Sequence, residues 1–315
     1  MKTLSFLFVL ISIQSLAQNQ AANWNFGYGA GLQFDLEANR LTSINGSALS
    51  TNEGCATISN AFGALLFYTD GSSIWNRNND LMPNGSGLYG DSSSTQSAII
   101  VPKPNDPNLY YVFTVDNALD GNNFGLNYSI VDITLNGGLG NVTNKNINLL
   151  PICSEKISAV LKDCLTKSIW VITFASQSKT GSNYNTFYAY EVSNTGVSSE
   201  PVISTFNSIS TQEGRGYLKL SPDGQKLVSA NMGSGLFLFN FDVATGIVGN
   251  HQQLSINTNS NSAYGVEFSP NSQVLYVNSS NDSQSTSPSA HQSTLSQYDL
   301  TAENISNTRI TIDQR

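Results

Sequence analysis

Residues 217–228 read Tyr-Leu-Lys-Leu-Ser-Pro-Asp-Gly-Gln-Lys-Leu-Val, and this stretch decides the fold. Two short apolar segments flank the residues Ser221 to Gly224, whose proline and glycine favour a tight turn. The flanking residues do not follow the spacing of a helix. The stretch therefore predicts an antiparallel hairpin with a four-residue turn.

The same arrangement of apolar strand, polar turn and apolar strand occurs five times along the chain. The other copies are residues 56–68, 98–113, 157–172 and 265–277. Further strand-like residues follow the hairpins, as in 127–131, 187–192 and 236–241. Four short strands per unit, repeating every ~50 residues, predict an all-β fold, a β-propeller of four-stranded antiparallel blades. A sandwich or an open array of hairpins is the alternative.

The hairpins also predict the domain organisation. Residues 1–17 are expected to be a signal peptide, 18–51 an N-terminal strand segment, and 52–315 five blades. The expected blade boundaries are about 52–96, 97–153, 154–212, 213–261 and 262–315. With five blades the ring is expected to be incomplete, as in a fragment of a seven-bladed propeller. The alternative is that Asn23 to Leu36 supplies the strand that closes a smaller ring.

The N-terminus has the pattern of a secretory leader. Lys2 supplies a positive charge, Leu4 to Ile13 is a short apolar run, and the small residues Ser15 and Ala17 precede a cleavage point before Gln18. After Gln18 no apolar run is long enough to cross a bilayer, so no membrane span is expected. The sequence therefore predicts an exported protein.

Composition and charge restrict the partners. Only 11% of the residues are charged, compared with ~25% in average soluble proteins, and the formal net charge is −8. An acidic chain repels phosphate backbones, so nucleic acid is not an expected partner.

The three cysteines, Cys55, Cys153 and Cys164, leave at least one thiol unpaired. Cys55 and Cys164 lie in strand-like contexts, where a free cysteine is a small buried hydrophobe. We expect three structural thiols, with a disulfide between Cys153 and Cys164 left open as the alternative.

Several motifs in the first half of the chain are specific enough to suggest a family. They are residues 52–59, 65–71, 74–78, 82–85, 92–97, 101–104, 127–132 and 135–140. The chain resembles the N-terminal propeller of large surface proteins from gliding Gram-negative bacteria, which use the type nine secretion system. The resemblance covers roughly Trp24 to Asp299 and implies a WD40-like or YVTN-like propeller with no assigned catalysis.

The same resemblance implies a location and a context. It implies a protein on the outer cell surface, with further domains following in a longer polypeptide. The family's C-terminal sorting domain is not found in this sequence, which favours a fragment or a shortened relative and leaves the export route open.

Propeller geometry restricts where a site can be. The tight turns share one face, where we expect no room for a ligand. The opposite face carries the longer segments that lead into each blade, and a site is expected there. Six polar side chains are predicted to circle the channel mouth on that face: Glu53, Gln96, Glu155, Lys156, Glu213 and Arg215. An outer rim is predicted at the ends of the second strands: Asp70, Asp116, Asn231 and Asn278.

The chemistry of these residues supports binding better than catalysis. Carboxylates with one lysine and one arginine are able to hold a cation or a polar group of a sugar or peptide; alternatively they cap turns and pair locally. The chain has only two histidines and no zinc or phosphate-binding motif, so we predict no catalytic residue, no metal ligand and no cofactor.

We therefore expect a secreted or cell-surface propeller used for adhesion or as a scaffold, with a protein or glycan ligand. The first alternative is a carbohydrate-active hydrolase or lyase that uses the carboxylates of the channel mouth. The second alternative is a structural spacer in a large surface protein.

Overall fold

The computed structural model describes residues 19–35, 37–118, 123–181, 183–256, 262–280 and 291–315. The predicted leader, residues 1–17, lies outside the described residues. Six antiparallel sheets follow one another along the chain and are arranged as the blades of a ring.

Each of the first three blades is a meander whose strands pair in chain order. The first blade follows a 3-10 turn at Asn19–Ala21 and contains β1 Asn23–Phe26, β2 Tyr28–Asp35 and β3 Arg40–Ser50. The second contains β4 Ala56–Ser59, β5 Leu65–Thr69, β6 Ser73–Asn76 and β7 Leu81–Ser86. The third contains β8 Ala98–Pro102, β9 Leu109–Val115, β10 Leu126–Asp132 and β11 Asn141–Leu150, with the helical turn α1 at Leu135–Gly138.

The last three blades continue this order, except that the fourth has a divided outer strand. It contains β12 Ile157–Leu161, β13 Ile169–Ala175, β14 Thr186–Ser193, and then β15 Gly196–Val197 and β16 Val202–Thr205, both paired with β14. The fifth contains β17 Leu218–Leu220, β18 Lys226–Asn231, β19 Gly235–Asp242 and β20 Ile247–Leu254. The sixth contains β21 Ser262–Phe268, β22 Val274–Ser280, β23 Ser293–Asp299, a 3-10 turn at Ile305–Thr308 and β24 Ile310–Gln314.

The expectation of five blades in an incomplete ring is wrong. The segment 18–51, predicted to supply a single strand, instead forms the three-stranded first blade. Its long strand β3 is exposed at most positions, so it lacks the continuous apolar runs that mark the other hairpins in the sequence. Hydrophobic patterning detects buried strands, and this blade is largely solvent-exposed.

The core lies between successive blades. Strand β13 shows how, because Trp170, Ile172 and Phe174 pack towards the fifth blade while Val171 and Ala175 pack towards the third. Alternate side chains of a strand point to opposite faces, so a central blade strand is apolar at nearly every position. Four such clusters join the second blade to the third, the third to the fourth, the fourth to the fifth and the fifth to the sixth.

All three cysteines are free thiols in the structure. Cys153 is buried and Cys55 is half-buried, but Cys164 is exposed in the turn between β12 and β13 and not in a strand as expected. Burial raises the pKa of Cys55 to about 11 and that of Cys153 to about 12. Both thiols therefore stay protonated and shielded at neutral pH.

We expect a thiol-directed alkylating reagent to modify Cys164 alone in the native protein. Peptide mass spectrometry after brief treatment at neutral pH measures this directly. Labelling of all three residues in urea is the control for reagent access, and equal labelling of Cys153 in the native state would contradict its burial.

Among the described residues, no helix has the length and apolar character needed to cross a membrane.

Candidate functional site: the channel mouth

The segments that lead into the blades meet at one end of the ring, the channel mouth. Backbone hydrogen bonds join them: the Gly54 amide donates to the Ser94 carbonyl at 3.1 Å, and the Glu155 amide donates to the Gly214 carbonyl at 3.3 Å. Further bonds from side chains bring the six predicted mouth residues into one connected polar cluster.

Glu155 is completely buried and is the main acceptor of this cluster. Its Oε2 accepts hydrogen bonds from the Thr95 amide at 2.8 Å and the Thr95 hydroxyl at 2.7 Å. Its Oε1 accepts from the Ala118 amide at 3.1 Å. Both carboxylate oxygens are therefore engaged by donors of the protein itself, from segments 60 and 37 residues away.

Lys156 is also completely buried. Its Nζ donates to three consecutive carbonyls, those of Gly214 at 3.3 Å, Arg215 at 2.6 Å and Gly216 at 3.0 Å. Burial lowers the pKa of Lys156 to about 7, against the opposing attraction of Glu155 and Glu213. Through these hydrogen bonds the Lys156 side chain holds the segment leading into the fifth blade in place, and it does not reach solvent.

Two further interactions complete the mouth. Arg215 donates from Nε and Nη2 to the two oxygens of Glu213, at 2.8 and 2.6 Å. Burial acts to raise the pKa of Glu213, but the bonds and charge of Arg215, with Lys156, lower it below its ordinary value. Gln96 bridges three blades: its Nε2 donates to the Leu218 carbonyl, and its Oε1 accepts from the amides of Leu218 and Ile157.

The predicted outer rim is not assembled into one site. Asp70 accepts three hydrogen bonds from Ser72 and Ser73 in its own turn. Asp116 accepts from the amides of Asn117 and Phe124. The Nδ2 groups of Asn231 and Asn278 donate within their own blades, to Ser229 and Gly235 and to Ser293 respectively. Each rim residue therefore makes its hydrogen bonds within its own blade, Asp70 and Asp116 in their loops and Asn278 between β22 and β23.

One residue of the cluster, Tyr264, was not predicted from the sequence, whereas Thr95 lies beside the predicted Gln96 in the segment leading into the third blade. The Tyr264 hydroxyl hydrogen-bonds to Glu53 and lies 2.9 Å from the Thr95 hydroxyl. Tyr264 lies on β21, five residues before the turn residue Ser269, and no repeated motif in the sequence marks this position.

We expected no room for a ligand on the face of the tight turns, but the structure has a cavity there. A cavity of about 810 Å³ lies across the turns of the second, third and fourth blades. Its lining is largely apolar and includes Ile58, Phe62, Leu66, Pro102, Pro104, Tyr110, Leu161 and Ile169.

The first blade presents a second candidate surface. Its polar face packs on the second blade. There the side-chain Nδ2 of Asn23 donates to Ser59 Oγ at 3.0 Å, and the backbone N–H of Asn25 donates to Thr57 Oγ1 at 3.0 Å. The strand register places aromatic and apolar side chains on the opposite face. We call this the aromatic face; it comprises Trp24 (48% exposed), Phe26 (41%), Phe34 (37%) and Leu41 (51%). The Trp24 and Phe34 rings contact each other with centroids 5.4 Å apart and planes at 60°.

Comparisons with known proteins concern the fold alone. No protein-family model and no curated protein matches the chain. A solved protein from Lactobacillus plantarum is 17% identical with a TM-score of 0.48, over 90% of this chain and 77% of that one. A protein from Bacteroides uniformis, assigned provisionally as a 6-phosphogluconolactonase, is 15% identical with a TM-score of 0.47, over 91% and 80%. At these identities and TM-scores we draw nothing about function from them.

Proposed function

We propose that the protein is a cell-surface binding module that serves as an adhesion or scaffold propeller and recognises another protein through its aromatic face. One observation carries this proposal: the first strand of the first blade buries Asn23 and Asn25 and exposes Trp24 and Phe26. A sheet exposed to water on one face normally directs its apolar side chains inwards. An exposed apolar patch of this kind is typical of an interaction surface.

The energetic gain from covering this face is substantial. Complete burial of one large apolar side chain contributes about 1.5–3 kcal/mol, so each half-exposed residue of the aromatic face has about 1 kcal/mol still to gain. The four residues together offer about 4 kcal/mol, concentrated on aromatic rings of the type that dominates binding hot spots.

The chemistry of the face favours the sheet of a partner protein over a glycan. Trp24 and Phe34 are inclined at 60°, so they do not form one flat platform for a sugar ring. The other blades are joined by sheet faces packed through apolar side chains, and a partner sheet with apolar residues continues the same type of interface. The channel mouth supports this choice because its carboxylates are occupied by Thr95 and Arg215.

Export to the surface of a Gram-negative cell is part of the proposal. The leader pattern of residues 1–17 and the motifs shared with propellers of gliding bacteria support it. In this setting the module belongs to a gliding-motility-associated surface protein that uses type nine secretion.

Site-specific photo-crosslinking in the exporting cells tests the proposal. A photoreactive amino acid is placed at Leu41 on the aromatic face or at Ile247 on the fifth blade, both 51% exposed. We expect a discrete protein adduct from position 41 and none from position 247. We also expect Trp24→Ser to reduce the adduct at 41 at least tenfold, since removal of a central aromatic anchor costs about 1.4 kcal/mol or more.

Equal adducts from both positions, or an adduct at 41 that Trp24→Ser leaves unchanged, would refute this partner surface. Accessibility of the protein to protease in intact cells tests the location separately. Retention of the protein inside the cell would refute the surface assignment.

A further inference from the structure

Four side chains form a continuous chain of hydrogen bonds at the channel mouth, and it joins four blades. Glu53 precedes the second blade, Thr95 the third and Glu155 the fourth, while Tyr264 lies on β21 of the sixth. Glu53 bonds to the Tyr264 hydroxyl, which lies 2.9 Å from Thr95 Oγ1, and Thr95 Oγ1 lies 2.7 Å from Glu155 Oε2. The chain therefore links the last blade to the second and third.

The hydrogen-bond chain needs more hydrogens than its two hydroxyl groups supply. It has three oxygen–oxygen contacts, and each needs one hydrogen between its two oxygens. With both glutamates ionised, only the hydroxyls of Tyr264 and Thr95 supply hydrogens, one each. The Gly216 amide also donates to Thr95 Oγ1, at 3.3 Å, but this uses an acceptor position and adds no hydrogen to the chain. One contact therefore remains without a hydrogen unless a carboxyl group is protonated.

We propose that this chain holds one additional proton on Glu53, and that the protonated chain is a pH-sensitive clasp between the sixth blade and the second and third. The Glu53 carboxylic acid donates to Tyr264, Tyr264 donates to Thr95, and Thr95 donates to Glu155. Every contact then has one hydrogen, and the donors all point in the same direction along the chain.

The surroundings of the two glutamates place the proton on Glu53. Both oxygens of Glu155 already accept hydrogen bonds, from the amides of Thr95 and Ala118, and Glu155 precedes the buried Lys156. The partners of Glu53 are hydroxyl groups, that of Tyr264 and, more weakly, that of Thr95. Burial, and then repulsion from Glu155, raise the pKa of Glu53 above its ordinary value of 4.5, although Tyr264, Arg215 and Thr95 act in the opposite direction.

The other titratable groups around the chain do not compete for this role. Burial and the bond to Glu53 raise the pKa of Tyr264 well above its ordinary range, and burial also raises that of Tyr217, which feels the charge of Glu53. Arg215 remains charged and bound to Glu213.

The sign of the pH effect follows from the direction of the shift. The folded state binds the Glu53 proton more tightly than the unfolded state does. The stabilisation is therefore complete below the unfolded pKa of about 4.5 and is lost as the pH rises through the folded pKa.

Two isosteric substitutions test the position of the proton. In Glu53→Gln the amide group still donates to Tyr264, so the clasp persists at every pH. In Glu155→Gln the side-chain NH2 group replaces one acceptor oxygen and faces a donor of Thr95 or Ala118, so a hydrogen bond is lost. We expect the melting temperature of Glu53→Gln to match the native protein in mild acid and to exceed it by a few degrees as the pH rises. We expect Glu155→Gln to melt lower throughout.

Infrared spectroscopy of the native protein supplies an independent readout. A carboxylic acid C=O band should persist above pH 4.5, disappear as the pH rises, and be absent in Glu53→Gln. Glu191→Gln, which removes a surface partner of Lys162, is the control and should change neither readout. A melting difference between Glu53→Gln and the native protein that does not vary with pH, or a band that Glu53→Gln retains, would overturn the proposal.

Discussion

Replacing Lys156 with methionine lowers the free energy of unfolding by about 2–5 kcal/mol, because three buried carbonyls lose their common donor. Methionine fills a similar volume but donates no hydrogen bond, so the carbonyls of Gly214, Arg215 and Gly216 are left unpaired. For a domain of this size the melting temperature should fall by about 5–20 °C. Calorimetry of the two proteins at the same pH, above 7, measures the loss, which should be smaller below pH 7.

The matched control is Lys226→Met. Lys226 is partly exposed and donates one hydrogen bond from Nζ, to Asn240 Oδ1 at 2.7 Å, so its loss should cost less than about 1 kcal/mol. Equal destabilisation by the two substitutions would show that Lys156 contributes no more than a surface lysine. A normal melting temperature for Lys156→Met would contradict its role as a fastener of the segment 213–216.

The titration of Lys156 adds a second signature to the same pair of proteins. Its folded pKa of about 7 lies below the ordinary 10.5, so between these values the unfolded state binds the proton that the folded state has released. Its contribution to stability is therefore complete above 10.5 and is lost as the pH falls towards 7. The free energy of unfolding should therefore rise between pH 7 and 10.5 in the native protein, and this rise should be absent in Lys156→Met.

The hairpins were predictable because the information that specifies them is local. Residues 217–228 contain the turn Ser221 to Gly224 between β17 and β18, and the structure pairs Leu220 with Leu227 across it. Strand alternation and turn chemistry act over a few residues and can be read directly. The first blade was not predicted because it lies at the edge of the core, so its strands show little apolar patterning.

The site was only partly predictable because it depends on contacts across the ring. Thr95 and Tyr264 are separated by 169 residues, and nothing in either segment specifies their contact. Lys156 was predicted at the mouth, but its complete burial depends on the fold of residues 213–216 above it. The sequence indicates which polar residues lead into a blade, whereas their packing determines whether they face a ligand or each other.

Gly216 is the backbone position on which this arrangement depends, and Gly216→Ala should cost about 2–5 kcal/mol. Its φ of +110° is strained for any residue with a side chain, and a Cβ atom would lie 2.3 Å from the Ala230 carbonyl oxygen and 3.2 Å from Lys156 Nζ. The segment would have to shift away from β18, which also moves the Gly216 carbonyl away from Lys156 and its amide away from Thr95.

Gly233→Ala separates backbone strain from steric conflict. Gly233 has a φ of +75°, but no heavy atom lies within 4 Å of an added Cβ, so only the conformational cost of about 1–2 kcal/mol applies. Urea denaturation of the two variants should therefore rank Gly216→Ala as clearly less stable. Equal urea midpoints would mean that the segment 213–216 can move without loss of stability. In that case close packing at the channel mouth does not hold Lys156, Thr95 and Glu155 together.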